Sequence, residues 1–313
     1  MEEVDVTYLN LEKHKAQRRI DEWISLNDTT AALDLTSLYL TELSPLPPNL
    51  KKLLCFNNQL TSLPHLPAGL EVLMCSNNQL TELPELPLNL HQLLCSDNQL
   101  TKLPTLPQSL TELWCYNNKL IELSELPSSL ETILCYDNQL TKLPELPPNL
   151  KKLYCYGNQL TKLPELPQSL TELWCYNNKL TKLPELPQSL KALWCYNNKL
   201  IELPILSQGL EELRCCDNKL TKLHLLPSSL KTLLCSYNQL TKLPSLPSGL
   251  KKLECRDNQL TEFPLLPQSL EKLFYKDNPI QYPPPEVLKG SMNEIREWMS
   301  ENPLNFVKSA AKK

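Results

Sequence analysis

From Ala31 to about Gly290, leucine returns at the same places every twenty residues, with polar residues filling the places between. One unit, Leu150–Ser169, reads LKKLYCYGNQLTKLPELPQS and generalises to L-x-x-L-x-C-x-x-N-x-L-T-x-L-P-x-L-P-x-x, which predicts thirteen units over this span. Self-similarity at such a period marks a stacked repeat and not an ordinary globule. Inside the unit, Leu153 and Cys155 alternate with Tyr154 and Tyr156, the two-residue period of a strand. The leucine and the cysteine are therefore expected to point into the coil and the two tyrosines away from it. Asn158 ends the strand where the chain must turn, and Leu160, Leu163 and Leu166 complete the interior. Pro164 and Pro167 favour an extended, polyproline-like return and leave no room for a helix.

A single coil cannot bury its leucines, whereas a stack of coils shares one continuous core. The predicted fold is a repeat solenoid of short leucine-rich repeats. It is expected to be curved, with one parallel β-sheet on the concave face, an extended polyproline-like convex side and a helical cap at each end. The expected organisation is a cap over residues 1–30, the solenoid over 31–290, and a helical cap with a tail over 291–313. In Leu11–Asp28, Ile20, Trp23 and Ile24 fall at helical spacing and should seal the first coil, where Leu35 and Leu38 stand in for Cys and Asn. At the other end Tyr275 replaces Cys and Pro279 follows Asn278. Ser291 and Glu294 there have the spacing of a capping box. They open a helix with Met292, Ile295, Trp298 and Met299 on one face, ended by Asn302-Pro303. The Lys-ended tail beyond it is expected to be mobile.

Composition narrows the classes. The chain has 28 Pro, only 5 Gly and a net charge of −4, and Lys and Glu alternate along it without a basic stripe, so nucleic acid is not an expected partner. No run of eighteen apolar residues is present to span a membrane. The charged first thirty residues hold no apolar stretch of the secretory-signal type.

Twelve cysteines would suggest disulfides, but eleven fall at one strand position, Cys55 and every twentieth residue through Cys255. Strand alternation turns each inward, and Cys is a good small core residue. Bridges between side-by-side equivalents would distort the ladder, and no C-x-x-C or clustered His suggests a metal. These thiols are expected to be reduced, buried and structural, with no metal and no cofactor. Cys216 alternates to the outer face beside Arg214, with no His or second thiol placed by the repeat to activate it. Asn58 and every twentieth residue through Asn278 form a second ladder, expected to satisfy turned backbone groups with both amide atoms.

Information about function should sit where the repeat varies, on the concave positions flanking each Cys. There Trp114, Tyr116, Tyr136, Tyr154, Tyr156, Trp174, Tyr176, Trp194 and Tyr196 form an aromatic patch over five adjacent strands, with Arg214 at its edge. At roughly 100 Å² each, half the usual aromatic burial, nine rings would offer about 900 Å². One partner contributes ~800 Å² to a standard protein interface. Stacking between adjacent strands is the simpler explanation for such a row. Trp and Tyr are nevertheless the usual anchors of protein interfaces, and a protein-binding site is the leading expectation.

The coil LPELPQSLTELWCYNNKLTKLPELP resembles the twenty-residue repeats of the YopM/IpaH class of bacterial effectors, whose pattern is L-x-x-L-x-(V/L)-x-x-N-x-L-x-x-L-P-x-L-P. The likeness covers about residues 20–290. It implies a scaffold secreted by a specialised system into the host cytoplasm, where the concave face grips a eukaryotic host protein; otherwise the chain would be cytoplasmic. Two features qualify that likeness. The inward strand residue is Cys where the class has an aliphatic, and the resemblance is expected to be to the binding-only members without a ubiquitin-ligase domain, so no catalytic residue carries over. His14, His65, His91 and His224 are scattered, and no nucleophile or phosphate-loop motif occurs, so an enzyme is not expected. The alternative is a carbohydrate-binding module on the same aromatic platform, helped by Asn117, Asp137, Asn177 and Asn197.

Overall fold

The computed structural model describes residues 6–303, with side chains from residue 14 onward. The chain divides into two compact units, residues 1–179 and 180–313. The expectation of a mobile tail concerns residues outside the described ones.

The first unit opens with α1 (Val6–Leu26), five residues longer at its start than the leucine pattern predicts. Ala16, Ile20 and Trp23 make its buried face, and the Trp23 indole N–H donates to the Ala31 carbonyl at 3.0 Å. Ile24 was expected on that face but is 54% exposed, because the face in contact with the first coil follows the 16-20-23 line. Eight short parallel strands follow: β1 (Leu33–Asp34), β2 (Lys52–Leu54), β3 (Val72–Met74), β4 (Gln92–Leu94), β5 (Glu112–Trp114), β6 (Thr132–Leu134), β7 (Lys152–Tyr154) and β8 (Glu172–Trp174). Each pairs with the next in strict twenty-residue register, for example Leu153 with Leu173 and Tyr154 with Trp174. The strands are shorter than the sequence suggests. The ladder Cys lies just past each strand, but its N–H still bonds the next coil, as Cys155 does to the Trp174 carbonyl at 2.9 Å.

The second unit repeats the plan with β9 (Ala192–Trp194), β10 (Glu212–Arg214), β11 (Thr232–Leu234), β12 (Lys252–Glu254) and β13 (Lys272–Phe274). It ends in a single 3₁₀ turn, Val287–Lys289, and α2 (Met292–Glu301). The capping box is complete: Ser291 N–H donates to Glu294 Oε2 at 2.6 Å, and Glu294 N–H donates to Ser291 Oγ at 3.3 Å. Ile295 and Met299 are buried, while Trp298 is half-buried and tilts against Tyr282 at 5.7 Å. Tyr275, standing where a Cys would be, packs edge-on to Phe263 and donates to the Leu288 carbonyl at 3.1 Å.

The inward set is as the period demands. In one coil Leu150, Leu153, Cys155, Leu160, Leu163 and Leu166 are all buried. The return carries neither helix nor strand, and closes as a turn in which Leu170 N–H donates to the Pro167 carbonyl at 3.1 Å. The Asn ladder supplies the polar half of the core. Asn158 Nδ2 donates to the carbonyls of Cys135, Cys155 and Tyr156 at 3.0–3.1 Å, and its Oδ1 accepts from Leu140 N–H at 2.9 Å. The first coil lacks its own Asn, so Asn58 serves it instead. Its Oδ1 accepts from both Leu38 and Leu40 N–H at 3.0 Å.

All twelve cysteines are free, and the eleven in the ladder are buried. Burial pushes the thiols of the ladder up, Cys75 and Cys135 among them to about 12.

Candidate functional site

Strand alternation delivers the variable side chains to the sheet face opposite the leucines, and the strict register sets equivalent positions in rows. In the first unit Tyr116, Tyr136, Tyr156 and Tyr176 form one continuous stack. Successive ring centroids lie 4.3, 4.3 and 4.1 Å apart, with planes within 11°. That separation is slightly under the ~4.8 Å between strands, so the rings close up face to face. In the row on the other side of the cysteines, Tyr154 stacks on Trp174 at 3.9 Å. The Tyr154 hydroxyl donates to Glu172, whose other carboxylate oxygen meets Lys152 Nζ at 3.3 Å. Trp114 is half-buried in the same row; its indole N–H is covered and has no acceptor among the described residues.

This stacking corrects the area expected from open rings. Both faces of Tyr136 and Tyr156 are used inside the row, leaving ring edges and hydroxyls for solvent. Burial, then the neighbouring Tyr116 hydroxyl, pushes Tyr136 up to about 12. Tyr156 is raised too, by burial and then the Tyr176 hydroxyl, and Tyr154 by burial and then its bond to Glu172. These phenols are neutral and serve as hydrogen-bonding groups on a rigid apolar strip.

In the second unit the equivalent strand positions are more polar. The Arg214 guanidinium lies 3.8 Å above the Trp194 ring, and its Nη2 pairs with Glu212 at 2.6 Å. Its charge is thus already engaged within the strand. Tyr196 is half-buried one residue beyond Cys195. Arg256 lies over Phe274 at 4.8 Å, and Lys252 pairs with Glu254 at 2.8 Å. Cys216 does not become a thiolate beside Arg214: burial first, then Asp217 and Glu254, push its thiol up to about 11. Among the described residues no cluster of three or more His, Cys, Asp or Glu could hold a metal ion. No helix among them is long and apolar enough to cross a membrane.

One row escapes the leucine pattern altogether. The residue before each ladder Asn adopts the left-handed conformation, from Asn57 (φ 57°) through Asp137 (φ 49°) and Gly157 (φ 62°) in the first unit. Asn and Asp tolerate that conformation and Gly accepts it freely. The signal lay in plain view as the recurring pairs Asn-Asn, Asp-Asn and Gly-Asn. Two pairs of side chains in this row bond along the rim. Asn77 Nδ2 donates to Asn57 Oδ1 at 2.8 Å, and Asn117 Nδ2 to Asp97 Oδ1 at 2.6 Å. The Asn117 amide offered above for sugar recognition is therefore occupied within the row.

The geometry has close counterparts. The chain is 36% identical to YopM from Yersinia pestis, described as a leucine-rich effector protein, with a TM-score of 0.67 over 88% of this chain and 90% of that one. The chain belongs to the YopM family of leucine-rich repeat proteins. YopM from Yersinia enterocolitica is 38% identical, with a TM-score of 0.69 over 77% of this chain, but this chain spans only 58% of its length. The family model for leucine-rich repeats (two copies) matches residues 48–88, 128–168 and 148–188. The functional domain of InlJ from Listeria monocytogenes is 33% identical, with a TM-score of 0.60 over 67% of this chain and 49% of that one, and is itself described as including a cysteine ladder. No curated protein sequence matches the chain at a significant level. Membership of this family makes the YopM-like chain a leucine-rich repeat scaffold of the protein-binding kind.

Proposed function

We propose that this YopM-like chain is a non-enzymatic scaffold that grips a protein partner with the strand-side face, its first-unit aromatic rows at the centre. In this reading it is a bacterial effector, secreted by a specialised system into a host cell's cytoplasm, and the partner is a host protein. The observation that carries the proposal is the Tyr116–Tyr176 stack, with centroids 4.1–4.3 Å apart. Its rings are already ordered, so a partner docking on them loses little further side-chain entropy. The description of the Yersinia pestis relative as an effector supports the cellular setting. A binding role is supported further by the electrostatics, since Lys152, Arg214 and Lys252 on the face are ion-paired and the Cys216 thiol is held protonated.

The test is affinity purification from a eukaryotic lysate with the wild type and a Trp114→Ala/Tyr136→Ala/Tyr156→Ala variant of checked stability. The variant should lose the partner that the wild type retains. Equal recovery by a stably folded variant removes the strand face from the account.

A further inference from the structure

In the first unit, two neighbouring pairs of the left-handed rim row bond side chain to side chain, with one residue accepting and the next coil donating. Asn57 is served by Asn77, and Asp97 by Asn117. The third pair is broken. Asp137 is the acceptor, and the donor's place is taken by Gly157, which has no side chain to give. A Cβ built at Gly157 would fall 2.0 Å from Asp137 Oδ1, so the carboxylate leans into the space the glycine leaves. Among the described residues this carboxylate has neither hydrogen bond nor ion pair, and burial alone raises its pKa. The stacked pair Tyr136–Tyr156 stands one residue back on the same two coils, with centroids 4.3 Å apart. Lys152, on the next strand, is already committed to Glu172, and Lys151 to Glu131.

An unpaired carboxylate on the exposed rim, beside an aromatic stack and facing a glycine where two other first-unit pairs have a donor, is complementary to one kind of group. We infer that the Gly157 notch receives a basic side chain, Arg or Lys, from the bound protein. The cation donates to Asp137 in place of the missing row residue, and its aliphatic stem lies along the Tyr136–Tyr156 edge. Charge-assisted pairing and apolar stem packing then act at one spot, which is how such side chains anchor interfaces. This inference rests on the strand-face reading and names the chemistry of the partner at its centre.

The test uses a random-peptide library displayed on phage, selected against the full chain, with binding of the selected peptides then measured on variants. Gly157→Asn supplies the missing donor from within, once the Asp137 side chain swings into the arrangement Asp97 already has and its backbone N–H, 3.3 Å from the new Cβ, gives by a few tenths of an ångström. Asn occupies this left-handed position in other coils, so the fold is expected to hold, and a melting curve verifies it. Peptides selected by the wild type should share a basic residue. Gly157→Asn and Asp137→Asn should each weaken them by roughly tenfold or more, the scale of a hydrogen bond to a charged group. Replacing the basic residue with norleucine should cost the wild type a similar factor and the variants little. Peptides that need Tyr136 and Tyr156 but carry no shared basic residue, or that bind Gly157→Asn undiminished, overturn the notch and leave the face standing. Peptides indifferent to the Tyr136→Ala/Tyr156→Ala change, or no selected binder at all, overturn both.

Discussion

Asn158 is held by four hydrogen bonds that tie the backbone of two adjacent coils together, and no apolar residue of similar size can make them. Asn158→Leu should therefore cost about 1–3 kcal/mol or more in chemical denaturation, since several buried backbone groups lose their partner. The ladder cysteines do the opposite job, filling space without chemistry. A thiol reagent such as DTNB should find at most Cys216 in the native chain and all twelve thiols in denaturant. Their protons also couple to folding. A buried thiol such as Cys75 keeps its proton to about 12, against an ordinary 9.0. The unfolded chain then binds fewer protons above pH 9, so stability is intact below that value and falls as pH rises toward 12. The slope approaches about 1.4 kcal/mol per pH unit for each such thiol, measurable as melting temperature against pH. The two ladders were legible because a residue repeated at fixed spacing exposes the constraint it meets. The Asp137–Gly157 break was not, because a side chain that should be there leaves no mark until its row is seen to bond in pairs.

Elements were legible where their chemistry is local. Ser291 and Glu294 announce α2 three residues apart, and Ser291→Ala should cost ~1 kcal/mol of stability at that end. The strands were placed correctly but drawn too long, since alternation continues through the Cys although ladder pairing of the strand type stops before it. Helix α1 was harder: an amphipathic pattern allows several overlapping faces, and only contact with the first coil selects Ala16, Ile20 and Trp23 over Ile24. Trp23→Ala should cost about 3–5 kcal/mol, the scale of emptying a buried aromatic site. In a repeat array such a loss is felt by nearest neighbours first. Hydrogen exchange should therefore speed up in the coils around Leu35 and Leu38 and stay slow near Cys155.

Across the whole molecule, the period predicts the solenoid and the L-P-x-L-P return points to the YopM family. The face that varies takes its meaning from the register. Only strict twenty-residue pairing turns scattered Tyr116, Tyr136, Tyr156 and Tyr176 into a single stack with its edges outward. The central claim is that the partner sits on this side of the first unit. Site-specific photo-crosslinking addresses it directly, with a benzophenone amino acid placed at Thr132, on the strand face, or at Glu165, exposed on the return. Irradiation in a eukaryotic lysate should trap a discrete partner from Thr132 and none from Glu165. Capture from Glu165 with silence at Thr132 would contradict the account.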